Sequence, residues 1–92
     1  MNTQRLDSEG NLIFLNDIVL IQDFSENNKG YIDVGIVKYT NVTCSFYIQC
    51  KYINIDFNYC VGLKILDKVS NHKDKTDLEI LELYQDEWKK YE

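Results

Sequence analysis

One histidine, three cysteines and four serines set the limit on nucleophilic or metal chemistry in this chain. His72 stands between Asn71 and Lys73 in a polar stretch, where an exposed loop histidine is expected rather than a general base. Pairing it with Cys60 would make a Cys-His dyad, but no local signature accompanies either residue. Zinc would need Cys60, His72 and a carboxylate to converge without C-x-x-C or H-x-x-x-H spacing, so no metal site is expected. On one continuous strand Cys44 and Cys50 would share a face at roughly 20 Å, given about 3.3 Å per residue, too far for a mutual disulfide. Three reduced, partly buried thiols are therefore expected. Ser8, Ser25, Ser45 and Ser70 lack a nucleophile elbow, and no Gly-rich loop precedes a helix to cradle phosphate. Asp17 and Asp33 could flank a substrate as paired carboxylates. An Asp that opens a strand more often accepts backbone amides, and that structural role is the expectation for Asp7 and Asp17. No catalytic residue, cofactor or enzymatic activity follows from these groups.

The elements that would position them read mainly as sheet. Leu6–Leu20 predicts a tight hairpin: an acidic turn closed by Gly10, a short apolar strand, then Asn16-Asp17 leading into the apolar strand Ile18–Ile21. Gln22–Gly30 is a polar loop. Tyr31–Tyr39 alternates, with Ile32, Val34 and Ile36 on one face, and Gly35 inside it predicts a bulge or a close backbone approach. After a turn at Thr40-Asn41, Thr43–Tyr52 alternates again and points Phe46, Ile48 and Cys50 inward. A turn or bulge is expected around Asn54-Ile55-Asp56. Phe57–Leu66 then predicts a last strand or pair of short strands, with Gly62 a second candidate bulge. Five to six strands in so short a stretch predict a small, strongly bent sheet or SH3-like barrel over residues 6–69.

The period then changes. Ser70–Lys75 is a polar connector, and Thr76-Asp77-Leu78-Glu79 has the form of a capping box. Ile80, Leu81, Tyr84, Trp88 and Tyr91 recur at helical spacing, so one C-terminal α-helix is predicted over 76–91. Leu78 and Leu83 widen its apolar stripe enough for one edge to serve a partner.

Ninety-two residues make a single domain with one small core, and 45% apolar against 27% charged residues favours folding over disorder. The chain has no Pro and four Gly, so its nine Asn, with Asp and Ser, must supply the turns. Ten basic and fifteen acidic residues give a formal charge of −5. Acids outnumber bases on both sides of Phe46, so no basic patch is hidden by an acidic tail. Duplex DNA is an unfavourable ligand for such a surface, whereas a basic protein partner suits it. The start of the chain lacks the pattern of a signal peptide, and no apolar run approaches the ~20 residues that span a bilayer. A cytoplasmic protein that binds no membrane is expected.

The spacing of Asp7, Gly10, Ile13, Asp17, Ile18 and Val19 resembles the opening of the YopX-like family of small phage and prophage proteins. Gly35-Ile36-Val37-Lys38-Tyr39 is similar to that family's middle strand, and Leu63–Asn71 to its closing segment. Leu66 and Asp67 stand where the family tends to have Gly and Asn, and the terminal helix runs past the usual ending. The resemblance implies a compact all-β domain of phage origin, in a bacterial host, with no catalytic residue to carry over.

The expected function is a non-enzymatic protein-binding module. With a phage origin, its sharpest form is an inhibitor of a host defence nuclease or other immune effector, whose nucleic-acid groove an acidic surface would occupy. Candidate partner-binding residues are Asp23, Glu26, Asp33, Glu82, Asp86 and Glu87, together with Tyr84 and Trp88 on the helix stripe. A self-associating structural or regulatory phage protein, a homo-oligomer through a strand edge or that stripe, is the alternative. Clustered aromatics in the strand region also allow a small barrel that stacks single-stranded bases, but only Lys29, Lys38 and Lys51 accompany them.

Overall fold

Among the described residues, Asp17–Ile21 and Val34–Val37 are the two runs of four or more consecutive buried residues, so their strands must be covered on both faces. The computed structural model describes residues 1–23, 31–59 and 62–85. In chain order its elements are β1 (Asn2–Leu6), β2 (Leu12–Phe14), β3 (Asp17–Asp23), β4 (Tyr31–Thr40), β5 (Ser45–Cys50), β6 (Asn54–Asp56), β7 (Gly62–Lys68) and α1 (Asp77–Tyr84). Short 3₁₀ turns occupy Phe57–Tyr59 and Val69–His72. The main sheet is antiparallel with order β6-β5-β4-β3-β7, and β1-β2 forms a separate two-stranded ribbon. The two buried stretches are thus the interior strands β3 and β4. Among the described residues no closed barrel is found.

Strand alternation sends the two halves of each buried run to opposite layers. Ile18, Leu20, Val34 and Ile36 pack beneath Ile80 and Leu81 of the helix. Val19, Ile21, Val37, Ile48, Cys50 and Leu63 face the other way, where Ile13 of the ribbon and Phe57 cover them. The helix has the expected capping box: the Glu79 amide donates to Thr76 Oγ1, and the Thr76 amide to Glu79 Oε1. Its eight described residues are too few to hold a helix alone. Burial of Ile80 and Leu81, worth about 1.5–3 kcal/mol each, fixes it to the sheet. Leu78 and Leu83 flank that buried stripe and remain half exposed, at 51% and 53%.

Several local expectations change. The two apolar strands of Leu6–Leu20 do not pair: β2 pairs with β1, and β3 with β4 and β7. The hairpin partner is Asn2–Leu6, too polar and alternately exposed to announce itself. Asn54–Asp56 is strand β6, not a turn; the turn lies just before it, where the Cys50 amide donates to the Ile53 carbonyl at 2.9 Å. Phe57–Tyr59 is a 3₁₀ turn, which shortens the last strand. Cys44 belongs to the β4–β5 turn and is exposed, while Cys50 is buried at the end of β5. The Gln22–Gly30 loop beyond Asp23, Cys60 and the helix stripe beyond Gln85 lie outside the described residues.

Neither glycine forms a bulge. The irregularity between β3 and β7 falls at Leu66, because Ile18 pairs with Asp67 but Val19 with Ile65. The extra residue lets both Leu66 and Asp67 turn to the helix layer. Gly35 and Gly62 instead mark close approaches. A Cβ on Gly35 would collide with Ile48 Cγ2 and sit 3.1 Å from Cys50 Sγ, and one on Gly62 would meet the Gln22 carbonyl oxygen at 2.5 Å. Gly35→Ala is therefore expected to lower stability in urea titration by about 1–3 kcal/mol. In the double variant Gly35→Ala/Ile48→Ala the colliding methyl is gone, so its loss should be smaller than the sum of the two single losses.

Candidate functional site

Buried carboxylates hold the turns on either side of β2. Asp7 Oδ1 accepts the amides of Glu9 and Asn11 at 2.9 and 2.8 Å, and its Oδ2 accepts the Ile65 amide of β7 at 3.0 Å. Burial alone would raise its pKa, but these amides outweigh burial and hold the carboxyl below its ordinary value. Asp17 is 1% exposed; its Oδ2 accepts the Phe14 amide at 2.8 Å and its Oδ1 the Lys68 ammonium at 3.0 Å. Both carry the structural role expected of them. Asp33 does not complete an acid pair with Asp17. The register places it opposite Ile21, four residues along β3 and about 13 Å away, and its Oδ1 accepts the Val34 amide.

The sequence understates one constellation. His72, expected as an exposed loop residue, has a side chain only 16% accessible. Its Nε2 lies 3.0 Å from both Asp67 Oδ2 and the Tyr84 hydroxyl, and its ring meets that of Tyr84 edge-on at 5.6 Å. Tyr84 donates to Asp67 Oδ2 at 2.7 Å, while Asp67 Oδ1 accepts Asn71 Nδ2 at 2.6 Å and the Lys68 amide at 2.8 Å. Because the tyrosine proton is committed to Asp67, the hydrogen-bond network assigns a proton to His72 Nε2 as well. The Tyr84 bond first, then those of Asn71 and Lys68, hold the Asp67 carboxyl far below the usual range. A carboxylate, imidazole and phenol in contact could relay a proton. Here Asp67 takes four donors at once, and the cluster clamps the helix and the Val69–His72 turn onto β7.

The proposed partner residues do not form one patch. Glu82 is on the helix, 54% accessible, with Lys51 Nζ at 3.7 Å. Alternation from Val34 puts Asp33 on the opposite face of the sheet. Tyr84 is half-buried and its hydroxyl is engaged by Asp67, so only part of its ring reaches the surface. Asp23 closes β3, and nothing further is described of its side chain; Glu26, Asp86, Glu87 and Trp88 lie outside the described residues. No group of three or more metal-ligating side chains occurs among the described residues.

A concavity lies elsewhere, at the end of the sheet where β4 turns into β5. A groove of about 460 Å³ runs between β1 and that turn, over Phe46 and Phe57 and past Gln4, Arg5 and Asn58. Phe46 stacks edge-on with Tyr39 at 5.3 Å and tilts against Phe57 at 6.0 Å. Arg5 lies 5.1 Å over the Phe57 ring and donates from Nη1 to the Phe57 carbonyl at 2.9 Å. The Cys44 thiol beside the Tyr39 hydroxyl pushes that phenol above its ordinary value, with burial adding to the effect. The aromatics were legible as a crowd in the sequence. Gln4, Arg5 and Asn58 were not, since nothing local marks β1 as a strand. No protein-family model, curated protein or solved structure matches the chain.

The folded carboxyls of Asp7 and Asp67 both lie below the ordinary 3.8, so the unfolded chain binds protons more readily. Their contribution is complete above that value and is lost as pH falls through the folded ones. The urea midpoint should hold steady from pH 7 to about pH 5 and then decline toward pH 2. Tyr84→Phe removes the main donor to Asp67, so it should cost about 1 kcal/mol near neutral pH and make the acid-side decline shallower.

Proposed function

We propose that this chain is a non-enzymatic, phage-derived protein-binding module whose acidic exterior engages a basic surface, such as the nucleic-acid groove of a host defence nuclease or other immune effector. The observation that carries this reading is how the titratable groups divide. Asp7, Asp17, Asp67, His72 and Glu79 hold backbone and helix in place, whereas Glu9, Asp74 and Glu82 stand exposed on a chain of formal charge −5. Lysines lie beside some of these acids, as Lys64 does Glu9 at 3.6 Å, but such surface pairs are weak and a more cationic partner displaces them readily. The resemblance of three stretches to YopX-like phage proteins supports the origin. A small SH3-like barrel left open at β6 and β7 is the finer form of the fold that fits this reading.

Self-association is the second reading. It is favoured by Tyr52 and Ile53, 82% and 53% exposed at the β5–β6 turn, and by the half-exposed Leu78 and Leu83.

Tagged protein incubated with bacterial host lysate and eluted in a salt gradient separates the two. A charge-led complex should release a nucleic-acid-binding protein at moderate salt, and Asp74→Lys/Glu82→Lys, which leaves the capping box intact, should weaken its capture. Recovery of the chain alone, insensitive to salt and abolished by Tyr52→Ser/Ile53→Ser, would sink the inhibitor reading in favour of self-association.

A further inference from the structure

The groove over Phe46 and Phe57 adjoins a second one, of about 420 Å³, that follows the β5–β6 edge past Thr40, Asn54 and Asp56. Ser45 and Phe46 line both, so the two meet at the start of β5. Among the described residues, three other than glycine adopt positive φ: Gln4 at +61°, Asn16 at +68° and Cys44 at +50°. Asn tolerates this conformation, but Gln and Cys rarely adopt it. Those two line the same groove, one in the bulge of β1 and the other in the β4–β5 turn. Disfavoured backbone at the rim of a concavity is where a fold holds a binding shape ready before its ligand arrives.

We propose that this trough receives an extended segment of a protein partner, seating one apolar side chain over Phe46 and Phe57 while its backbone bonds to the rim of amides and hydroxyls. The proposal rests on the protein-binding reading above and names where and how the partner is read. Charge favours a peptide over a nucleic-acid strand. A strand needs a cationic track along its phosphates, whereas among the described residues these grooves present one cation, Arg5, and one anion, Asp56. Shape favours a chain over a small molecule, because a small ligand must be mostly enclosed and these grooves lie open along the surface. Gln4, Asn54 and Asn58 supply amide side chains that suit main-chain amides and carbonyls, and the Ser45 hydroxyl, bonded to Thr43, lies where the grooves meet. The trough is distinct from the exposed acids of the helix, so a partner can use charge for approach and the trough for register.

The test is selection of phage-displayed random dodecapeptides on the immobilised full chain, followed by titration of the enriched peptide into 15N-labelled protein. Expected are peptides sharing an apolar anchor that shift the amides of Gln4, Arg5, Ser45, Phe46 and Asn58. Ser45→Arg, which fills the junction of the grooves, should weaken the peptide about tenfold or more. Gln4→Gly, which relieves the rim without altering the floor, should raise Tm by several degrees and weaken the peptide as well. No enrichment, or shifts centred on Tyr52, Ile53 or the helix, overturns the proposal. A protein captured from lysate that binds Ser45→Arg undiminished overturns the trough and leaves the protein-binding reading standing. Shifts of the same trough amides by the oligonucleotide dT12, with none from peptide, overturn both.

Discussion

One buried carboxylate, that of Asp7, is the central anchor between the β1–β2 ribbon and the main sheet. No ladder of backbone hydrogen bonds joins this ribbon to the main sheet, yet its Ile13 must cover Val19, Ile21 and Leu63. Asp7 supplies the join. One oxygen closes the turn at Glu9 and Asn11, the other reaches the Ile65 amide at the edge of β7, and the next amide, that of Ser8, donates to the Leu63 carbonyl at 2.7 Å. A buried charge without partners would be costly; with three amides it is held ionised and becomes the fixed point of the layer. Arg5 ties the same ribbon to the Phe57 carbonyl at the far side. The sheet is thereby capped by side chains where a barrel would close by pairing strands, and the groove over Phe46 and Phe57 is the gap this leaves.

The helix layer depends on an equally local device. Without the extra residue at Leu66, regular alternation would carry Asp67 away from the helix. The bulge keeps Leu66 against Val69 and Tyr84 and still brings Asp67 under the Tyr84 hydroxyl and the His72 ring. At the other end of the helix, Asp77 meets Lys38 of β4 at 2.9 Å. Burial of Ile80 and Leu81 supplies most of the energy, and the polar contacts at each end fix the helix's direction across β4.

What the sequence disclosed follows from the range of the physics involved. Patterns with a period were legible: the alternation of Tyr31–Tyr39, the inward set Phe46, Ile48 and Cys50, and the capping box at Thr76 all depend on neighbours within a few residues. Asp7 and Asp17 were legible as turn formers for the same reason. What could not be read depended on distant partners. Asn2–Leu6 is a strand because β2 lies beside it, not because its own residues favour one. Gly35 and Gly62 signal tightness in the sequence, but only the packing of Ile48 and the Gln22 carbonyl decides between a bulge and a close approach. His72 looks solvated by its neighbours Asn71 and Lys73, and its partners lie five and twelve residues away on other elements. The aromatics were countable, but the groove among them required knowing where β1 runs.

The same division separates frame from surface. The stretches Asp7–Val19, Gly35–Tyr39 and Leu63–Asn71 are bonded to one another: Asp7 to the Ile65 amide, Asp17 to Lys68, and the Asn16 amide to the Val37 carbonyl at 2.9 Å. They are the frame. Gln4, Cys44, Ser45, Phe46 and Asn58 stand outside all three stretches, on turns and edges that the frame positions but does not dictate. The frame therefore constrains shape and leaves recognition open. Two proteins could share every hydrogen bond of Asp7 and Asp17 and still present different floors and rims at the β4–β5 end. Two of those positions, Gln4 and Cys44, are held by backbone at positive φ, so the β4–β5 end has a shape of its own that the frame does not set.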